Sequence, residues 1–137
     1  MTRIVLVGCV GGKLKRKAKA KNLYNSPLFK YRLQYAKMLK PDKIFILSAE
    51  YGLLDLEKEI RPYNKSLNEM PAKKVREWAH NVTNQLKRVA DLDKDEIIFL
   101  AGERYRKYLI PHISHHKNPL QGLGIGRQLR FFKENLK

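Results

Sequence analysis

Three short apolar runs organise the chain. Ile4-Val5-Leu6-Val7 is closed by Gly8, Lys43-Ile44-Phe45-Ile46-Leu47 by Ser48-Ala49, and Glu96-Ile97-Ile98-Phe99-Leu100-Ala101 by Gly102. Apolar runs without polar alternation predict strands buried on both faces, the pattern of a parallel sheet. Between them the period becomes helical. Ser26-Pro27 joins an N-capping side chain to a proline at the first helical position. Phe29, Leu33, Ala36 and Leu39 or Lys40 follow at helical spacing until Pro41-Asp42. Pro71 opens a second helix, in which Val75, Trp78, Ala79, Val82, Leu86 and Val89 form one stripe. A short helix is expected from about Glu103 to Leu109, and a closing one is marked by Ile125, Leu129, Phe132 and Leu136. Residues 9–25, 50–70 and 111–124 read as irregular.

Strands alternating with helices imply right-handed crossovers. The expected fold is therefore α/β, a three-layer sandwich with a small, mainly parallel sheet flanked by helices, in one domain over residues 1–137. In such sheets ligands sit beyond the carboxyl ends of the strands. Here those ends are Gly8 to Lys13, Ser48 to Gly52 and Ala101 to Tyr105, which should converge.

Charge adds a partner to this picture. Lys and Arg number 29 against 13 Asp and Glu, a net charge of +16, and no acid precedes Asp42. Lys13, Lys15, Arg16, Lys17, Lys19 and Lys21 crowd into one stretch of the first loop. A basic cluster leaving a strand's carboxyl end suits phosphate contact with counterion release. The expected partner is nucleic acid, with DNA favoured over RNA, and not a membrane. The single cysteine, Cys9, permits no intrachain disulfide and fits a reducing, cytoplasmic location. The first apolar run is far too short for a signal peptide or a membrane span.

Several familiar chemistries are excluded by spacing. Gly8-Cys9-Val10-Gly11-Gly12-Lys13 is one residue short of a P-loop, and Leu14 stands where Ser or Thr would hold magnesium. The glycines can still form a looser anion nest. Gly122-Leu123-Gly124-Ile125-Gly126 lacks the preceding strand of a dinucleotide fingerprint. It reads as a helix-entry turn whose N–H groups, with Arg127, suit an anion. His112, His115 and His116 lack further ligands at metal spacing. No metal and no cofactor are expected.

The remaining candidates lie at the strand exits. Cys9 sits beside a cationic loop, where a thiol is activated as a nucleophile, although a lone cysteine commonly serves as a small buried residue. Ser48, Glu50, Tyr51 and Asp55 follow the second strand, and a carboxylate there suits water activation or stabilisation of a sugar cation. Glu103 is a further acid, although an acid in a helix's first turn commonly serves the dipole. Tyr24, Tyr51, Tyr63 and Tyr105, with Gly102, bring aromatic rings among cations, an arrangement suited to stacking on an exposed base. The same rings would serve equally to pack beneath a long loop.

Ile46-Leu47-Ser48-Ala49-Glu50-Tyr51-Gly52-Leu53-Leu54 followed by Ile60-Arg61-Pro62-Tyr63 resembles the signature of YaaA-like peroxide-stress proteins. The whole chain is more similar still to their small phage and bacterial relatives. It shares Cys9 leading to Lys13, Leu23-Tyr24 before the first helix, Gly102 with Tyr105, and Pro119 to Gly126. The resemblance implies a fold like that of base-processing N-glycosidases, DNA binding and a role in oxidative stress. Relatives do not generally carry Glu at the positions of Glu50 and Glu103, so the resemblance favours Asp55 as the acid.

The function expected is thus a nucleic-acid-binding protein acting as a base N-glycosidase on a modified or damaged base. Cys9, Ser48, Tyr51, Asp55, Tyr63 and Tyr105 would line its pocket, with Asp55 or Glu50 assisting the chemistry. The rivals are a non-catalytic binding module and a hydrolase of small nucleotides or nucleosides.

Overall fold

The computed structural model describes residues 2–136. Its main sheet has five strands. β1 (Arg3–Gly8), β3 (Lys43–Ser48), β4 (Gly52–Asp55), β6 (Glu96–Leu100) and β7 (His115–Lys117) stand in the order β4-β3-β1-β6-β7. All neighbours are parallel except β3 and β4. A separate antiparallel pair joins β2 (Ala18–Lys19) to β5 (Glu59–Ile60). The helices are α1 (Ala20–Leu23), α2 (Pro27–Met38), α3 (Ala72–Lys87), α4 (Glu103–Arg106) and α5 (Ile125–Asn135), with 3-10 turns at Leu67–Glu69 and Ile110–His112.

The α/β three-layer arrangement follows from the side-chain alternation of β1. Ile4 and Leu6 face one core with α3, while Val5 and Val7 face another with α2 and α5. All four are fully buried. A central parallel strand covered on both faces has no use for a polar position, hence its unbroken apolar run. Ser26 caps α2 as expected: its Oγ accepts from the Phe29 N–H at 3.2 Å and donates to the Val10 carbonyl at 2.6 Å.

Several stretches expected to be irregular carry structure. The first loop contains β2 and α1, with Ala20 and Leu23 wholly buried. Residues 50–70 hold β4, β5 and a 3-10 turn. Gly52 makes β4 possible: its φ of 72° reverses the chain after β3, and its α-hydrogens face the Gln85 amide. Gln85 Oε1 then accepts the Leu53 N–H at 2.9 Å. Residues 111–124 contribute the edge strand β7. The helix expected to reach Leu109 stops at Arg106, and Ile125 of the closing stripe is 63% exposed. No helix among the described residues is long and apolar enough to cross a membrane.

Candidate functional site

The exits of β1, β3 and β6 do converge. Gly8 lies so close to β6 that a Cβ there would fall 2.7 Å from the Ala101 Cβ, so only glycine fits. Cys9, Ser48, Tyr24, Tyr63 and Tyr105 meet just beyond. The Tyr63 hydroxyl is the hub, 2.7 Å from that of Tyr24 and 2.8 Å from Ser48 Oγ. Ser48 Oγ also accepts the Tyr51 N–H at 3.0 Å. The Cys9 thiol donates to the Tyr105 hydroxyl at 3.8 Å and lies 3.8 Å from that of Tyr63. Tyr105 in turn accepts the Leu67 N–H at 3.4 Å.

Cys9 and Tyr63 touch both cores, so the cluster occupies the ridge where the two faces of the sheet meet. Burial sets its electrostatics. It pushes the Tyr24 and Tyr105 hydroxyls up to about 12, and the charge that Cys9 would carry as a thiolate adds to the effect. Burial raises Tyr63 in the same sense. At neutral pH these are protonated phenols, which donate and accept hydrogen bonds. A cation lies over the rings: Lys13 Nζ stands 4.5 Å from the centre of the Tyr63 ring and 5.9 Å from that of Tyr24.

The candidate residues separate on this geometry. Tyr24 and Tyr105 are buried and cannot offer a face to a base as they stand, whereas Tyr51 is exposed and Tyr63 half-buried. Tyr51 packs edge-on to Tyr63 and donates to the Arg61 carbonyl. Gly102 caps α4 with open space beside it.

Asp55 is not in the site. β4 is antiparallel, so the chain turns back from the exits and Asp55 pairs with Phe45, partway down β3. Its Oδ1 accepts the Glu57 N–H at 2.9 Å, a local turn. Glu50 stays at the exit, on the rim, with its carboxylate 3.7 Å from Lys65 Nζ. It borders a groove of about 470 Å³ floored by Ala49, Met70 and Trp78. Glu103 is an exposed first-turn acid of α4.

The basic loop divides in two. Lys17 pairs with Glu59 at 3.5 Å, while Lys19 and Lys21 both reach Glu57, at 3.0 and 2.6 Å. These lysines are held along β2 and α1 by the segment around β5, in a stretch expected to be irregular. Lys13, Lys15 and Arg16 make no ion pair among the described residues, and neither does exposed Arg127 at the start of α5. Among those residues no three His, Cys, Asp or Glu side chains gather to hold a metal ion.

Three contributors escaped sequence reasoning. Trp78 Nε1 donates to the Ser48 carbonyl at 2.8 Å and fixes the end of β3. Arg104 donates from Nε to the Leu67 carbonyl at 2.9 Å and from Nη2 to that of Met70, tying down the segment above Tyr105. Arg32 is buried beneath the site and donates from Nη1 to the Gly8 carbonyl at 2.8 Å. Its signal was its place in the apolar stripe of α2, three residues after Phe29 and four before Ala36.

A family model described as a family of unknown function (DUF6884) matches residues 4–134. No curated protein and no solved structure matches the chain. The matched span runs from β1 into the last turn of α5 and so takes in the whole sheet and every residue of the cluster. The chain therefore belongs to the family of unknown function DUF6884.

Proposed function

We propose that this chain is a nucleic-acid-binding protein, with DNA the favoured partner, that takes a single unstacked base at the exits of β1, β3 and β6. The observation that carries the reading is the gathering of Tyr24, Tyr51, Tyr63 and Tyr105 with Lys13 at one end of the sheet. The exposed Tyr51 and half-buried Tyr63 offer ring surface for stacking. The buried hydroxyls behind them suit the polar edge of a heterocycle. Lys13, Lys15, Arg16 and Arg127 supply cations for phosphates. The net charge of +16 and the motif likeness to YaaA-like proteins support the same reading.

The test is binding of a labelled single-stranded oligonucleotide followed against salt. Replacing Lys15 and Arg16 by Ser should flatten the slope of log affinity against log salt by about 0.7 for each phosphate no longer neutralised. Tyr51→Ala should weaken binding by about 1–3 kcal/mol. An unchanged slope together with an unchanged affinity would refute the reading.

Base removal by an N-glycosidase is a second reading, and the position of Glu50 favours it. That carboxylate remains beside the β3 exit, on an open groove, where it suits water activation. DNA carrying modified bases should then acquire alkali-labile abasic sites, and Glu50→Gln should abolish them. Tight binding with no such sites on any substrate leaves a non-catalytic module.

A further inference from the structure

Arg32 is a buried cation with no carboxylate partner among the described residues; the ionisable groups that act on its charge are the Cys9 thiol and the Tyr105 hydroxyl. Arg32 is 3% exposed. Nη1 donates to the Gly8 carbonyl at 2.8 Å and Nη2 to Gln128 Oε1 at 2.9 Å, while Nε has no partner. A guanidinium carries five N–H donors, so most of its capacity is unused. Burial lowers its pKa to about 10, which leaves it charged at neutral pH. No carboxylate answers that charge: Arg32 belongs to none of the ion pairs among the described residues. A buried charge without a counter-charge is strongly unfavourable. The fold does not require it either, since a neutral donor could serve the Gly8 carbonyl and the Gln128 amide.

The surroundings point to what the charge is for. Arg32 lies where Gly8 of β1 abuts Ala101, the residue after β6, and its Nη2 reaches the first turn of α5 through Gln128. Gln128 is itself buried and anchored by its Nε2, which donates to the Leu123 carbonyl at 3.0 Å. The cap of α5, Gly124, supplies no side-chain bond to the free N–H groups of that turn. Open space stands where side chains would be at Gly102, Gly124 and Gly126, and Arg127 is exposed. An eleven-residue helix thus presents uncapped N–H groups in the same turn whose Gln128 side chain accepts from an uncompensated guanidinium.

We propose that this is a phosphate subsite: a phosphate group docks at the first turn of α5, beside the exits of β1 and β6, with Arg32 as its buried counter-charge. The inference does not rest on the nucleic-acid reading, because the group recognised is the phosphate itself. It can belong to the phosphodiester of a strand or to the terminal phosphate of a nucleotide.

The test compares the intact chain with Arg32→Met in thermal unfolding and in phosphorus NMR, using inorganic phosphate as the probe. Without phosphate, Arg32→Met sheds an unpaired buried charge but leaves the Gly8 carbonyl and Gln128 Oε1 without that donor, so its own Tm serves only as the baseline against which its phosphate response is read. Millimolar phosphate should raise the Tm of the parent alone, and the variant should bind it about tenfold more weakly or worse. Gly124→Asp gives an independent check if Arg32→Met does not fold. A resident carboxylate at that exposed cap should stabilise the chain without phosphate and abolish the response to it. A parent indifferent to phosphate, or variants that respond as the parent does, would overturn the subsite. Oligonucleotide binding would then stand unaffected, so the two readings fail separately. Tighter binding of a nucleoside 5′-monophosphate than of a dinucleoside phosphodiester supports the subsite with a nucleotide as its source, and the reverse order supports it with the backbone.

Discussion

Tyr63→Phe removes one oxygen from the hub of the tyrosine cluster and leaves nearly everything else in place. The ring remains beneath Lys13 and against Tyr24 and Tyr51. Two hydrogen bonds between hydroxyls disappear, at 2.7 and 2.8 Å, with the weaker contact to Cys9 Sγ at 3.8 Å, and the other ends of the first two lie in residues with 1% and 0% exposure. Ser48 Oγ keeps the Tyr51 N–H, so the group left bare is chiefly the Tyr24 hydroxyl. A neutral hydrogen bond contributes about 1 kcal/mol net, and an abandoned buried hydroxyl costs about 1–3 kcal/mol. The expected loss is about 2–3 kcal/mol, or a Tm lower by roughly 10 °C for a chain of this size. Urea unfolding should show the midpoint fall at an unchanged m-value. A loss below about 0.5 kcal/mol would mean that the hydroxyl network contributes nothing and that Tyr63 is held by its ring alone.

Alkali should destabilise the protein through Tyr24 and Tyr105. Their hydroxyls stand at about 12 in the fold against 10.0 in an open chain. Below pH 10 both states keep the proton; above it the unfolded chain ionises first, so stability falls as pH rises towards 12, by on the order of 2–3 kcal/mol for each group. Urea midpoints measured from pH 9 to 12 should fall, and Tyr24→Phe should remove its share; a flat profile would contradict the assignment. Glu57→Gln should release Lys19 and Lys21, whose ammonium groups hold that carboxylate below its usual pKa, with Lys21 the stronger influence. The salt slope of nucleic-acid binding should then steepen by about 0.7 for each lysine that gains a phosphate. An unaltered slope would place both lysines away from the nucleic acid.

The parts of the fold legible in the sequence are those fixed by short-range pattern and by burial. Ile4 to Val7 and Ile97 to Leu100 are apolar because sheet and helices cover both faces. The Ser26-Pro27 start is a local capping rule, and convergence of the exits follows from strand order. Asp55 was misplaced because a reversal at one glycine, Gly52, sends the chain back down the sheet. β7 reads His-His-Lys and is fully exposed, so no apolar signal marks it. β2 and β5 have two residues each and exist through their partner alone. The pairing of Lys17, Lys19 and Lys21 with Glu57 and Glu59 joins segments some forty positions apart, beyond any local pattern. Burial of Arg32 likewise depends on α5, about a hundred positions away.

The central position of β1 has a consequence for how the molecule is made. Arg3 stands opposite Glu96, and Ile4 opposite Lys43, so the middle of the sheet joins segments about 40 and about 90 positions apart. Parallel pairing of this kind closes large loops before packing can offset their entropy, which slows folding. β1 and β3 can pair early and bring Cys9 up to Ser48, but Tyr105 and the Ala101 that abuts Gly8 arrive only with β6. A nascent or truncated chain that lacks residues beyond the ninetieth would display bare apolar strand edges and no complete tyrosine cluster. Assembly of the tyrosine cluster thus waits on β6, and its presence reports that the centre of the sheet has closed.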